Sequence, residues 1–308
     1  MPQPARPERK HHYQHPFMDT GRWDRFRPRD GDIVVDTAYK TGTTWMQMIC
    51  ALLIFQKPDL GRPLSDISPW LDMRVQDLDE VLAVLEAQDH RRIIKTHAPL
   101  DALPYYDNVT YMFVGRDPRD VFVSWLNHQK NMDASVFQRP EDDDLAPRPE
   151  IPEDPCEFFH KWMTTSGFPW EQEGWPSWSM LRHAETFWSF RHLPNIHMFH
   201  FSDLKADLDG EMRRAAEALE IEVPGAKWPD LVNAARFDSM KKNADLLAPD
   251  ANLGLWRQNK RFFNKGTSGQ WRDLLGDEEL DLYRAVMERR LEPDLATWLE
   301  NGSTAAPA

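Results

Sequence analysis

The sequence has few cysteines, no long apolar run and no excess of positive charge. Its 308 residues include only Cys50 and Cys156, so a disulfide framework is not supported, and Cys50 falls in an apolar stretch where a core position is expected. No apolar run reaches the length of a membrane span, and the polar, Pro- and His-rich start at 1–15 lacks the apolar region of a signal peptide. These absences predict a soluble, cytoplasmic protein.

The charge balance narrows the classes of ligand. The formal net charge is −13 with an isoelectric point near 5.3, so general nucleic-acid binding is not expected. An acidic chain can still bind an anion, because one local basic pocket is sufficient. The sequence also lacks a His, Cys and Asp cluster at metal-ligand spacing, so no metal site is predicted.

What is present is enough apolar material for a large core, in an alternating pattern of strands and helices. Hydrophobic residues make up 41% of the chain, with 13 tryptophans. The patterns predict strands at 32–38, 92–95, 109–114 and 196–201, and helices at 43–55, 77–88, 118–130 and 207–219. This alternation predicts an α/β fold with a central, mainly parallel sheet flanked by helices. We expect a single domain over 1–308, with a loop or lid insertion at about 139–178 and a flexible tail at 301–308.

The turn after the first predicted strand has the composition of an anion site. A turn that opens a helix leaves backbone N–H groups unpaired, and Gly42 lets an anion approach the backbone closely. Lys40 adds a charge, and the side chains of three threonines add hydroxyl donors: Thr41, Thr43 and Thr44. Lys40 precedes the glycine, whereas a Walker A loop places its lysine after the last glycine. The segment therefore predicts a phosphate or sulfate site and argues against a P-loop kinase.

Two further segments carry anion-binding residues. Arg116 is expected at a strand end, and Ser124 lies about two helical turns further on, so both side chains could face one crevice. The alternative for Arg116 is a surface salt bridge with Asp120. The loop that contains Lys265 and Gly266 could close on an anion from the opposite side, although such a pair is often only a solvated turn.

In this order, the segments resemble the soluble, cytosolic-type sulfotransferases that use 3′-phosphoadenosine-5′-phosphosulfate (PAPS). The first family motif, Tyr-Pro-Lys-Ser-Gly-Thr-Thr-Trp, is matched by 38–45, and the strand-end arginine and later serine by Arg116 and Ser124. Lys-Thr-His-Ala-Pro at 95–99 looks like the catalytic signature, and 264–271 looks like the last motif. The resemblance implies a three-layer, P-loop-like fold and transfer of a sulfuryl group to an acceptor hydroxyl.

The resemblance also implies a role for each matched residue. His97 is expected at a strand end, where it would act as general base for in-line transfer, with Lys40 and Lys95 as the cations near the transferring group. The remaining residues are expected to bind the nucleotide, and no metal is implied. The 5′-phosphate would be held by Thr41, Gly42, Thr43 and Thr44, the 3′-phosphate by Arg116, Ser124, Lys265 and Gly266, and the adenine by Trp45 and Phe237.

The sequence departs from the family pattern at three places. Asn264 replaces an arginine, so one 3′-phosphate contact is absent or is supplied by Arg261 or Arg257. Ala235 and Phe201 replace hydroxyl-bearing residues near the nucleotide. We therefore keep a catalytically inactive nucleotide- or lipid-binding protein as the alternative, and a kinase as a less favoured one.

The acceptor is the least determined part of the prediction. The aromatic-rich region 158–188 is the best candidate for a lid over an apolar acceptor, and the alternative is that half or more of its rings are ordinary core. An apolar pocket would suit a phenol, a sterol, an alcohol or a glycolipid. The dimer signature of many relatives is not recognisable at 272–279, so the oligomeric state is left open.

Overall fold

The computed structural model describes residues 5–133, 150–249 and 251–303. Within these ranges one sheet is formed by β1 (Ile33–Asp36), β2 (Ile93–Thr96), β3 (Thr110–Gly115) and β4 (Ile196–His200). The strands lie in the order β2-β1-β3-β4, and every neighbouring pair is parallel. The predicted α/β fold with a mainly parallel sheet is confirmed, and each predicted strand lies within two residues of the observed one.

Helices connect the strands and cover the sheet. In chain order they are α1 Thr43–Phe55, α2 Leu64–Ile67, α3 Leu78–Ala87, α4 Pro118–Asn131, α5 Pro155–Thr164, α6 Met180–Trp188, α7 Phe201–Ala206, α8 Leu208–Ala218, α9 Trp228–Ala234, α10 Phe237–Lys242, α11 Ala244–Leu247, α12 Asn259–Phe262, α13 Asp277–Arg290 and α14 Pro293–Asn301. Short 3₁₀ helices occupy Thr20–Arg25, Leu100–Ala102, Ala251–Leu253 and Gln270–Asp273.

Local sequence sets the ends of the predicted helices. α4 begins where the Asp117 carboxylate accepts a hydrogen bond from the Arg119 N–H and Pro118 occupies the first turn. α3 begins in the same way, with Asp77 accepting from two backbone N–H groups. α1 ends where Gln56 adopts a left-handed conformation, and its bounds are those predicted. The four predicted helices are therefore confirmed to within about a residue.

The sheet is buried on both faces, which produces three layers. Val34 and Phe113 point into one core with α4, α5, α6, α13 and α14, whereas Val35 and Val114 point into a second core with α1, α8 and α9. Adjacent strand residues point to opposite faces, so a central strand must be apolar at successive positions. This is why the sequence Ile33-Val34-Val35 is an unbroken apolar run, and Cys50 is buried in the second core as predicted.

The parallel register places three strand ends beside each other. Asp36, the last residue of β1, is paired with Thr96 of β2 and with Phe113 of β3. The segments that follow β1, β2 and β3 therefore leave the sheet at one edge. Ligands of open α/β sheets bind at this edge, outside the carboxyl ends of the strands.

The aromatic region 158–188 contributes largely to the core. Phe158, Phe159 and Trp162 are buried against Phe122 of α4, and Phe187 stacks on Phe113 of β3. Of the predicted insertion at 139–178, positions 139–149 lie outside the described residues. The single domain and the lid stay predictions.

The predicted tail at 301–308 is described only in its first part. α14 ends at Asn301, and the Ser303 backbone N–H donates a 2.9 Å hydrogen bond to Asp203. Residues 304–308 lie outside the described residues, so the flexible tail stays a prediction.

The close packing at the end of β3 gives a stability prediction. A Cβ added to Gly115 would press against the Trp298 ring of α14. We expect Gly115→Ala to lower the free energy of unfolding by about 1–3 kcal/mol, measured by urea denaturation, because overpacking forces the neighbours apart. Gly225→Ala is the control, since nothing lies within 4 Å of the added Cβ there. Equal stability of both variants would contradict this packing.

Candidate active site

The loop between β1 and α1 has an unusual backbone. Lys40 adopts a positive φ of 64°, and Gly42 one of 129°. A Cβ on Gly42 would meet Val114 at 3.3 Å and Phe201 at 3.4 Å, so both backbone conformation and space favour glycine here. The first turn of α1, at Thr43 and beyond, follows directly, so its unpaired N–H groups point out of this edge of the sheet. The loop can therefore receive an anion.

Arg116 fixes this loop from the neighbouring strand. Its Nη1 donates a 2.9 Å hydrogen bond to the Lys40 carbonyl, and its guanidinium lies 4.0 Å from the centre of the Phe201 ring. Burial lowers the Arg116 pKa to about 10, and the side chain stays charged near neutral pH. Arg116 and Asp120 are both buried, so the alternative of a surface salt bridge does not apply, and the Asp120 carboxylate accepts a 2.8 Å hydrogen bond from the Gly269 N–H.

The last motif lies against the same region. Gly266 has a φ of 65°, and an added Cβ would clash with the Phe237 ring. Lys241 Nζ donates a 2.6 Å hydrogen bond to the Asn264 carbonyl, which ties the loop to α10. Together with the contact between Gly269 and Asp120, these interactions bring the segment around Lys265 next to α4. Three segments that are distant in sequence are thus assembled at one place.

His97 follows β2 and is held in one tautomer. Its Nδ1 lies 2.7 Å from the Thr37 carbonyl oxygen. Because a carbonyl only accepts, Nδ1 carries the proton, and Nε2 is the nitrogen left to act as a base. Trp70 packs edge-on against the imidazole with ring centroids 4.8 Å apart, and Trp178 Nε1 donates a 2.7 Å hydrogen bond to the His97 carbonyl. The ring is therefore held by the Thr37 carbonyl and by Trp70, and the backbone of His97 by Trp178.

Burial and nearby cations control the protonation of the site. Burial, with the Lys95 charge as the next cause, holds the His97 pKa well below its usual value. Burial and the charges of Arg116 and Lys95 lower the Lys40 pKa to about 7. Lys95 Nζ lies 4.2 Å from the centre of the Trp70 ring. At neutral pH the site therefore combines an uncharged imidazole with a lysine that releases its proton easily.

A layer of buried polar groups lies beneath these strand ends. Asp72 accepts a 2.6 Å hydrogen bond from the Thr96 hydroxyl, and burial raises its pKa to about 6. His183 Nε2 lies 2.8 Å from Asp36 Oδ1, and burial alone raises the Asp36 pKa and lowers that of His183 to about 3. The Asp36–His183 hydrogen bond therefore joins the end of β1 to α6 beneath the site.

The predicted site residues surround one cavity of about 670 Å³. Its basic lining residues outnumber the single acid Asp238, although the whole chain is acidic. Every predicted site residue except Thr41 lines it: His97, Lys40, Lys95, Gly42, Thr43, Thr44, Trp45, Arg116, Ser124, Phe237, Lys265 and Gly266. The Thr41 hydroxyl instead donates a 2.8 Å hydrogen bond to the Ala38 carbonyl within the loop. The sequence pattern alone does not distinguish this threonine from its neighbours.

The expectation that the arginine contact is absent at Asn264, or is supplied by Arg261 or Arg257, stays a prediction. Neither Arg257 nor Arg261 lines the cavity, whereas Arg236 and Lys242 do. Arg236 directly precedes Phe237, the predicted adenine contact, and Lys242 is the last residue of the helix that Phe237 begins, so this proximity in sequence was the available signal.

Sequence reasoning also missed His128. It lies four residues after Ser124 on α4, and both side chains line the cavity. The helical period was the signal that could have identified it.

The described parts of the chain give two further findings. Residues 5–133, 150–249 and 251–303 contain no group of three or more His, Cys, Asp and Glu side chains placed to hold a metal ion. In the same ranges, no helix has the length and apolar character needed to cross a membrane.

The comparisons with known proteins agree with this geometry. The sulfotransferase domain profile matches residues 30–294. A glycolipid sulfotransferase of Mycobacterium bovis is 38% identical over 307 residues, covering 94% of each chain, and sulfotransferase 1A1 of Rattus norvegicus is 27% identical over 266 residues, covering 83% of this chain and 84% of the relative. The chain therefore belongs to the sulfotransferase family, and it is a sulfuryl-transferring enzyme.

Solved structures show the same fold. A mouse sulfotransferase complexed with PAP superposes with a TM-score of 0.68 at 19% identity, covering 91% of this chain and 92% of that one. Retinol dehydratase in complex with retinol and PAP gives 0.63 at 22% identity, covering 90% and 87%. The predicted three-layer, P-loop-like architecture is thereby confirmed.

The environment of His97 gives a titration prediction. We expect NMR of the labelled imidazole to show a neutral ring protonated on Nδ1 at pH 6.5, because burial and Lys95 disfavour the charged form. Lys95→Met removes a nearby positive charge at similar side-chain length, so it should raise the His97 pKa. A wild-type ring that is half protonated at pH 6.5, or a pKa that does not change in Lys95→Met, would contradict this electrostatic account.

Proposed function

We propose that this sulfotransferase takes the sulfuryl group from PAPS and transfers it to an acceptor hydroxyl. The observation that carries the proposal is the meeting of the three segments predicted to bind anions and an Nδ1-protonated His97 in one cavity. A donor with separate 5′ and 3′ phosphates needs two anion sites. The Lys40 loop supplies one, and Arg116 with Ser124 and Lys265 supplies the other.

We assign the nucleotide contacts as follows. The 5′-phosphate binds at the start of α1, to the backbone and hydroxyls of Thr43 and Thr44 and to Lys40. The adenine lies between Trp45 and Phe237; the indole of Trp45 is fixed because its Nε1 donates a 2.9 Å hydrogen bond to the Ala235 carbonyl. Gly266, which leaves room beside the Phe237 ring, completes the site for the 3′-phosphate.

The departures from the family pattern are compatible with donor binding. Phe201, which stands where a tyrosine is common, packs against the Arg116 guanidinium and edge-on against Trp45, with the ring centroids 5.4 Å apart. Ala235 contributes through its backbone carbonyl, which does not depend on its side chain. Arg236 and Lys242 add positive charge at the cavity where Asn264 lacks it.

The chain positions charge and a proton acceptor around the reaction. When bound, PAPS supplies a sulfuryl group whose bond to the 5′-phosphate breaks as the bond to the acceptor oxygen forms. His97 Nε2 takes the proton of the acceptor hydroxyl, since Nδ1 is already occupied by the Thr37 carbonyl. Lys40 and Lys95 stabilise the negative charge that develops on the leaving phosphate and the transferring group. Positioning and charge stabilisation therefore do most of the catalytic work.

We propose a glycolipid as the acceptor class. The relatives named glycolipid sulfotransferases are 38% identical and match over nearly the whole chain. The lining of the cavity supports a partly apolar acceptor, because it includes several aromatic and methionine side chains: Phe17, Tyr39, Trp70, Met73, Trp125, Met132 and Trp178. Aromatic faces accommodate both the C–H faces of a sugar and an alkyl chain. The cytoplasmic location and the absence of a metal stay predictions.

The donor prediction compares adenosine 3′,5′-bisphosphate (PAP), which is PAPS without its sulfuryl group, with ATP. We expect PAP to raise the melting temperature more than ATP with Mg²⁺ does, because only PAP carries the 3′-phosphate that the second anion site would bind. Differential scanning fluorimetry at equal ligand concentrations measures both. A larger shift with ATP and Mg²⁺ would favour the kinase alternative.

The same proposal predicts the effect of removing the base. His97→Asn can keep a hydrogen bond to the Thr37 carbonyl but lacks Nε2, so the kcat for transfer of radiolabelled sulfate should fall about 10²–10⁴-fold while PAP binding is retained. His160→Asn, on α5 and outside the cavity lining, is the control. Full activity in His97→Asn, or no transfer to any acceptor by the wild type, would contradict the mechanism.

The acceptor prediction uses alkyl glycosides of increasing chain length. We expect kcat/KM to rise from methyl to dodecyl glucoside, and free glucose to be a poor acceptor, because the apolar lining would bind the alkyl chain. Phenol and cholesterol serve as comparison acceptors in the same sulfate-transfer assay. No dependence on chain length, with phenol transferred best, would exclude a glycolipid acceptor.

A further inference from the structure

One face of α4 carries two cavity-lining side chains at helical spacing. Ser124 and His128 lie four residues apart on this helix, and both line the cavity. Ser124 is part of the predicted nucleotide site. His128 has no assigned role, although it lies one turn further along the same face.

His128 contacts the lysine of the first loop. The Lys40 Nζ lies 3.2 Å from His128 Nδ1 and 4.2 Å from the centre of the Phe262 ring. An ammonium group only donates, so a protonated Lys40 requires Nδ1 to be the acceptor. In this arrangement the imidazole is neutral, with its proton on Nε2. The lysine is thus held by an acceptor on one side and an aromatic face on another.

The imidazole itself is held in place by aromatic rings. Trp125 stacks on it with centroids 5.1 Å apart and an interplanar angle of 23°. Trp256 packs edge-on at 4.7 Å, and Phe262 at 6.2 Å. A ring fixed from three sides presents Nδ1 in one direction, so the acceptor is in place before any ligand binds.

The charges that face Lys40 make such an acceptor necessary. Arg116 approaches from the segment between β3 and α4 and Lys95 from β2, and both are basic. The charges of Lys95 and Lys40 also help to keep His97, which follows β2, uncharged. Repulsion from neighbouring cations would displace a flexible lysine side chain, whereas a neutral acceptor retains it and favours its charged form.

We propose that His128 is the positioning residue for Lys40, holding its ammonium group at the point where the leaving phosphate develops charge. The proposal rests on the donor-binding role of Lys40 given above. It assigns no contact between His128 and the donor. His128 acts through Lys40 alone, so its loss should affect the transition state more than the binding of the ground state.

The test compares two substitutions of different chemistry. In His128→Asn the amide oxygen can occupy the position of Nδ1 and keep the acceptor, whereas His128→Leu retains bulk without one. Asn127→Leu is the control, because Asn127 lies on the same helix, does not line the cavity, and its side chain donates only to the Val123 carbonyl. For each variant, PAP affinity is measured by isothermal titration calorimetry and kcat by sulfate transfer between pH 5.5 and 9.

We expect His128→Leu to lower kcat by roughly 10- to 100-fold, with the PAP dissociation constant little changed. The fall of activity at high pH, where Lys40 loses its proton, should begin at a lower pH in this variant because the acceptor that favours the charged form is absent. His128→Asn should keep most of the kcat and the wild-type profile, and Asn127→Leu should match the wild type.

Two results would overturn the role of His128. One is a His128→Leu enzyme with the wild-type kcat and pH profile, and the other is an equal loss in His128→Asn and His128→Leu. If the wild type itself neither binds PAP nor transfers sulfate, the proposed function fails together with this inference. If the wild type binds PAP and transfers sulfate normally but the His128 variants keep its kcat and pH profile, only this inference is rejected.

Discussion

The parallel register of the three strands β2, β1 and β3 is the constraint on which the site depends. Parallel strands end at the same edge, so the segments that follow them must leave the sheet side by side. The Lys40 loop follows β1, His97 follows β2 and Arg116 follows β3. The pairing of these strands therefore brings the three groups together. The bond from Arg116 to the Lys40 carbonyl then fixes the loop in its left-handed conformation.

The site concentrates positive charge within an acidic protein. Burial makes each charge costly, and the lowered pKa values of Lys40, Arg116 and His97 express that cost. An anionic ligand reduces the repulsion among the cations, so the site is suited to a polyanion. The same fields keep His97 uncharged. The requirement for a cationic pocket and the requirement for a neutral base are therefore met by one arrangement.

Much of the fold could be predicted from the sequence. The run Ile33-Val34-Val35 is a strand because a central strand is buried on both faces, and Pro118 after Asp117 marks the start of α4 as predicted. Nearly all the predicted site residues line the cavity, because each belongs to a short segment whose local structure and position at a strand end follow from its pattern.

The rest depended on contacts between distant segments. The sequence pattern predicts the same phosphate-binding role for Thr41 and Thr43. The Thr41 hydroxyl instead donates a hydrogen bond to the Ala38 carbonyl within the loop. Arg236 and Lys242, which line the cavity, were not predicted, because neither helix packing nor side-chain direction near the last motif can be read from one sequence. The aromatic residues of 158–188 give the same sequence pattern whether they cover a ligand or fill a core. In the structure most of these rings belong to the core. A role for His128 could be inferred only from its contact with Lys40 in the structure.

The most direct test of this account is a crystal structure of the protein with PAP. We expect the 5′-phosphate at the start of α1 against Lys40, Thr43 and Thr44, and the 3′-phosphate between Arg116, Ser124 and Lys265, with His97 Nε2 facing the 5′-phosphate across the space for an acceptor. A 5′-phosphate bound elsewhere, or a His97 imidazole turned away from it, would contradict the account.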